Sequence, residues 1–169
     1  GHLREEKDPF RAAAALQHLP VASRIRVVHL GGAMSEDMAC EARQWMARQP
    51  SYRWLGELEH WQALRRLARS RLMVISSRME GGANVVSEAL AAGVPVIASR
   101  ISGNIGMLGG HYAGYYPVQD EKGLARLLWR AESDPAFYRR LKRQCATRRY
   151  LVSPQLEVGN LKKLLAEPF

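Results

Sequence analysis

Short, continuous apolar runs alternate along this chain with longer stretches of helical period. Ile25 to Leu30 (IRVVHL) is β-branched and bounded by Gly31 and Gly32, which predicts a buried strand. Ser35 follows as an N-cap, with Glu36 and Asp37 in the first helical turn. Met38, Ala42, Trp45 and Met46 then recur at helical spacing until Pro50 ends the element. Tyr52 to Leu55 predicts a short strand closed by Gly56. His60 to Ser70 predicts a helix that turns Leu64, Leu67 and Ala68 inward. Leu72 to Ser76 (LMVIS) and Val94 to Ala98 (VPVIA) are apolar strands. Between them runs a helix from Ala83 to Ala92 that stops at Gly93. Gly114 to Val118 is a further short strand, followed by helices over Glu121 to Ser133, Pro135 to Tyr150 and Gln155 to Ala166.

Continuous apolar strands alternating with helices imply an α/β domain, a doubly wound parallel sheet covered on both faces. At 169 residues the whole of 1–169 is expected to form one domain of Rossmann-like type. Gly1 stands where the loop after a first strand belongs, so a sheet built from these residues is expected to have an open slot. The chain then reads either as cut from a longer protein or as lacking its upstream residues. Hydrophobic residues at 47% and charged ones at 24% are globular and argue against disorder. The run Ala89 to Ala98, broken by Gly93 and Pro95, falls short of the ~20 apolar residues a bilayer span needs. GHLREEKDPF carries no apolar signal-peptide core. Cys40 and Cys145 make neither a disulfide framework nor a metal knuckle and have no ligand partners at useful spacing. Buried or inert thiols in a reducing cytoplasm are the expectation.

Charge changes the picture. Lys plus Arg is 25 against 16 for Asp plus Glu, a net +9, which suits a polyanionic partner. The cations cluster at Arg65, Arg66, Arg69 and Arg71, and again at Arg139, Arg140, Lys142, Arg143, Arg148 and Arg149. A solvated helix face explains both; a phosphate-rich partner or a peripheral membrane contact is the alternative for the second. Gly31-Gly32 lacks the spacing of a dinucleotide fingerprint and reads as a plain strand-to-helix turn. Trp45, Trp54, Trp61 and Trp129 read as core or interface rather than stacking platforms.

Ligands of open α/β sheets bind beyond the carboxyl ends of the strands. The loops to inspect are therefore His2 to Lys7, Gly31 to Ser35, Gly56 to Glu59 and Ser76 to Glu88. The last is the richest. Gly81 and Gly82 let backbone approach a ligand, and the helix N-terminus after them suits phosphate. Glu80 and Glu88 would repel a phosphate and so should accept hydrogen bonds from sugar or ribose hydroxyls. Taken alone, glutamates eight apart favour an N-terminal helix acid and a surface residue.

The whole pattern, however, resembles a known family. SSRMEGGANVVSEALAAGVPVIAS, Ser76 to Ser99, is similar to the donor-site signature of retaining glycosyltransferases of family 4, which have the two-domain GT-B fold. Its Glu-x7-Glu is Glu80 and Glu88, followed by Ala89, Ala91, Gly93, Pro95 and Val96. The resemblance makes this chain the C-terminal, nucleotide-sugar-binding half, with 155–166 crossing back toward an N-terminal acceptor domain. It implies that Glu88 holds the donor's ribose and that Glu80 binds the transferred sugar, with Gly81, Gly82, Ala83 and Asn84 nearby. Lys7 matches the lysine that grips the diphosphate, which makes Lys7 and Glu80 the implied catalytic residues. The arginine of that loop is His2 here; Arg4 or a partly protonated His2 would replace it. Leu58 falls on the base-binding edge. Ser102 to Gly110 departs from the family, with Gly103-Asn104-Ile105-Gly106 where a glycine-rich turn and then a glutamate are usual. GHLREEKDPFR, EGGANVVSEA and GNIGMLGG are similar to a branch that includes selenosugar synthases, with selenophosphate as acceptor.

The resemblance implies transfer from a nucleoside-diphosphate sugar, with UDP-sugar the first expectation, without a metal or other cofactor. The acceptor stays open, and the chain by itself is expected to bind donor but not to catalyse. Two other readings remain at this point. One is a sugar-nucleotide-binding module without catalysis. The other is a basic domain binding nucleic acid or another polyanion, which the Glu80 to Val96 pattern disfavours.

Overall fold

The computed structural model describes residues 1–79 and 84–152. The expected last helix over 155–166 lies outside them. A 3-10 turn at Glu5–Lys7 leads into α1, Arg11–Leu16. Then follow β1 (Val27–His29), α2 (Glu36–Arg48), β2 (Tyr52–Trp54), α3 (His60–Arg69), β3 (Met73–Ile75) and α4 (Asn84–Ala92). The remainder is β4 (Val96–Ser99), α5 (Ser102–Leu108), β5 (Tyr115–Tyr116), α6 (Glu121–Ser133), α7 (Pro135–Ala146) and a 3-10 turn at Arg149–Val152. Every strand pair is parallel, with Val27 opposite Tyr52, Met73 opposite Val96 and Ala98 opposite Tyr115. The expected α/β architecture is therefore the observed one. Among the described residues the strands fall into two sheets, β1-β2 and β3-β4-β5.

The caps follow from the sequence. Ser35 accepts a hydrogen bond from the Met38 N–H, and Asp134 accepts from Ala136 and Phe137 with Pro135 opening the helix. All of β4 is buried, as a central parallel strand should be. β1 is not: Val28 is 50% exposed, so the expected cover on both faces fails there. Ala68 is exposed too, while Leu67 packs against the core.

The alanines of α1 explain how the two sheets share one body. Ala12 and Ala15 belong to the core around β3–β5, whereas Ala13 and Leu16 belong to the core around β1 and β2. Small residues on opposite sides let one short helix sit close to both.

α5 forms in the stretch that departs from the resembled family's pattern, where the sequence pattern predicts no element. Gly103 and Gly106 each weaken a helix, so tertiary bonds must hold it. Asn104 is fully buried, and its amide donates to the Ser99 carbonyl at 2.8 Å. The Tyr115 hydroxyl reaches the Asn104 and Gly109 carbonyls at 3.1 and 3.0 Å. Arg148 donates to the carbonyls of Gly106 (2.8 Å) and Met107 (3.0 Å), and Arg149 to that of Ala91 at 2.7 Å. These arginines thus satisfy carbonyls at the C-terminal ends of α5 and α4, leaving only the rest of the second basic cluster as solvated face.

A Cβ on Gly106 would meet open space. Gly106→Ala is therefore expected to stabilise the domain by about 0.5–1 kcal/mol, read from the urea midpoint at constant m-value.

Candidate functional site

The segment before α1 lies across the carboxyl ends of β1 and β3. Its backbone bonds to the loop after β1: the Leu3 N–H donates to Gly32 O at 2.9 Å, and Met34 N–H donates to Leu3 O at 3.3 Å. Gly31 makes this approach possible. Its φ is +137°, and a Cβ there would lie 2.1 Å from the Gly1 carbonyl oxygen. The pair Gly31-Gly32 is thus a close crossing of two segments of the chain, more than the plain turn expected. His2 is exposed, and its Nδ1 accepts from the Gly32 N–H at 3.2 Å. Arg4 is half-buried and faces Glu6, with Nε 3.2 Å from Oε1.

The same segment is tied to the loop after β3. The Arg78 N–H donates to Glu6 O at 2.8 Å. Ser76 Oγ lies 3.0 Å from the Lys7 carbonyl oxygen and 2.8 Å from that of Asp8. Lys7, half-buried at the end of its turn, is thus held against the loop that leads into α4. Ser99 Oγ in turn donates to Ser77 O at 2.6 Å from the buried end of β4.

Glu88 lies on α4, half-buried, with Oε1 3.1 Å from Nε2 of His60. His60 opens α3, directly after the loop that carries half-buried Leu58. The sequence reading did not single out His60. Its signal was position, one residue beyond the base-edge loop. Asn84 is exposed at the first position of α4. Glu80, Gly81, Gly82 and Ala83 lie outside the described residues. Leu58 thus lies in the loop after β2 and Glu88 on the helix after β3, while Lys7 belongs to the segment bonded to the loop after β3, as the strand-end rule requires.

The comparisons with known proteins bear on family and fold. The pattern of the family described as glycosyl transferases group 1 matches residues 1–148. The chain belongs to the group 1 glycosyl transferases. Solved structures show the same fold. Anabaena HepE, in complex with UDP and glucose, is 19% identical with a TM-score of 0.80, over 98% of this chain and 45% of its own. Sucrose-phosphate synthase from Thermosynechococcus elongatus is 21% identical with a TM-score of 0.76, over 98% and 44%. This group 1 domain therefore spans less than half the length of those chains. Its fold is the Rossmann-like half of a GT-B glycosyltransferase. Curated protein sequences give no match.

Burial also tunes several titratable side chains of the domain. His29, at the end of β1, receives the Tyr52 hydroxyl at 3.2 Å on Nδ1 and reaches the Gly1 carbonyl oxygen at 3.0 Å from Nε2. Burial holds its pKa down to about 4, so the ring stays neutral at pH 7. Burial raises the Tyr52 and Tyr116 phenols, and the Cys145 thiol as well. Cys145 is buried as expected, but Cys40 is exposed.

The unfolded chain binds a proton on His29 near pH 6.5, and the folded one only near pH 4. Stability is therefore expected to fall as pH drops through that window. His29→Gln should flatten this loss, measured as the unfolding free energy at pH 7 and pH 5. Equal slopes for both proteins would contradict the account.

Proposed function

We propose that this domain binds the nucleoside diphosphate of a UDP-sugar donor for retaining glycosyl transfer. The observation that supports it most is the stitching of the Lys7 turn to Ser76 and Arg78, the residues that lead into the helix carrying Glu88. In this reading the Lys7 ammonium and the N-terminal N–H groups of α4 face the diphosphate. They stabilise its charge as it leaves and the sugar becomes oxocarbenium-like. Glu88, steadied by His60, accepts hydrogen bonds from the ribose hydroxyls. Glu80, with Gly81 and Gly82 beside it, takes the hydroxyls of the transferred sugar, and backbone around Leu58 meets the base. HepE, solved with UDP-glucose, supports UDP-sugar as the donor class.

The charge of the leaving diphosphate is carried here by Lys7 and helix N–H groups rather than by a metal ion. The acceptor and its base belong to a partner half of the GT-B fold, and this chain alone binds donor without turnover. No helix among the described residues is long and apolar enough to cross a membrane.

Calorimetric titration of this chain with UDP tests the reading. Saturable binding is expected, unchanged by EDTA, and weakened by about 1.5–3 kcal/mol in Glu88→Ala, as for a lost hydrogen bond to a charged group. Binding that EDTA abolishes would contradict the metal-free reading. Steeply salt-dependent binding of any polyanion, indifferent to Glu88, would favour the basic-domain reading instead.

A further inference from the structure

Asp8 is the residue after Lys7, and its backbone is unusual. It lies in the left-handed region with φ 45°, where glycine is the ordinary occupant. It is also only 7% exposed, and a buried carboxylate is costly unless paired. Arg11 supplies the pairing in fork geometry, with Nε 2.8 Å from Oδ2 and Nη2 3.3 Å from Oδ1. Arg78 approaches from the loop after β3, its Nη2 3.9 Å from Oδ1. Each arginine has a second anchor on the segment before or at the start of α6. Arg11 Nη1 donates to Glu121 at 2.9 Å. The amide oxygen of Gln119, turned toward Arg78, lies 3.3 Å from its Nε and 3.2 Å from its Nη2. Gln119 is itself in the left-handed region, with φ 64°. Burial opposes the Arg11 charge, but Asp8 and Glu121 outweigh it and raise its pKa above the ordinary value. The guanidinium is charged at any working pH.

A glycine at this position would meet the backbone requirement at less cost. It would also leave Arg11 and Arg78 without the carboxylate between them. Local strain retained next to a site residue calls for a role at that site. We infer that Asp8 is a positioning residue for Lys7. Its carboxylate, gripped by Arg11 and Arg78, locks the 3-10 turn against the β3 and α6 loops and so fixes where the Lys7 ammonium meets the diphosphate. This rests on the donor-site reading above.

The test compares wild type, Asp8→Gly, Asp8→Asn, Lys7→Ala and the Lys7→Ala/Asp8→Gly double variant, all as this chain. UDP affinity, melting temperature and amide exchange at Arg78 are measured on each. Asp8→Gly relieves the backbone while removing the clamp, so its melting temperature is expected near wild type. UDP affinity should fall about fivefold to tenfold, with Asp8→Asn, which tolerates the same backbone and keeps an acceptor, in between. Exchange at the Arg78 N–H, which donates to Glu6, should speed up without any ligand present. In the Lys7→Ala background Asp8→Gly should cost no further affinity. An equal loss in both backgrounds would make Asp8 merely structural and overturn the inference, as would wild-type affinity in Asp8→Gly. Should wild type itself fail to bind UDP, the donor-site reading falls and this inference with it. A failure confined to the Asp8 comparisons leaves that reading standing.

Discussion

The backbone crossing of residues 1–8 over the ends of the strands is the constraint on which the rest of the site depends. The segment is held on one side by Leu3 bonded to Gly32 and Met34, and on the other by Glu6, Lys7 and Asp8 bonded to Arg78 and Ser76. Few of these bonds come from a regular element. They nevertheless decide where a lysine turn stands relative to the helix bearing Glu88. Buried backbone groups must be paired, and here the pairing itself carries the geometry. A glycine at 31 permits the closest contact, because any side chain would collide with the Gly1 carbonyl.

The core beneath explains why that crossing can be rigid. α1 follows the segment directly and sends Ala12 and Ala15 into one apolar cluster and Ala13 and Leu16 into the other. The chain is therefore fixed just after Asp8 by burial on both sides. Arg11, on the first turn of this helix, ties the same point to Glu121 at the start of α6. Charge, packing and backbone bonds converge on a few residues.

Much of this was legible in the sequence, and the exceptions have physical causes. Continuous apolar runs identified β1, β3 and β4; the burial that such runs imply holds throughout β4 but not in β1, where Val28 is 50% exposed. The cap at Ser35 was readable from residue type and position, whereas that at Asp134 was not named, although an aspartate before Pro135 carries the same signal. α5 was not readable, because its glycines argue against a helix, and the bonds that hold it come from Tyr115 and Arg148, distant in sequence. α1 is short, and its alanines carry no period until both apolar clusters are seen. Arg148 and Arg149 looked like surface charge, yet they close helix ends. His60 was missed because its partner Glu88 lies 28 residues away on another helix. The glycosyltransferase signature itself was readable, since it occupies one contiguous stretch of sequence, Ser76 to Ser99.

The central claim is that the ends of these parallel strands, and not the basic helix faces, receive the nucleotide. Mapping backbone amide shifts on titration with UDP tests it most directly. The account predicts saturable shifts at Lys7, at Leu58 to His60 and at Glu88, with Arg139 to Arg143 unmoved. Shifts centred on Arg139 to Arg143, with Lys7 and Glu88 silent, would contradict it.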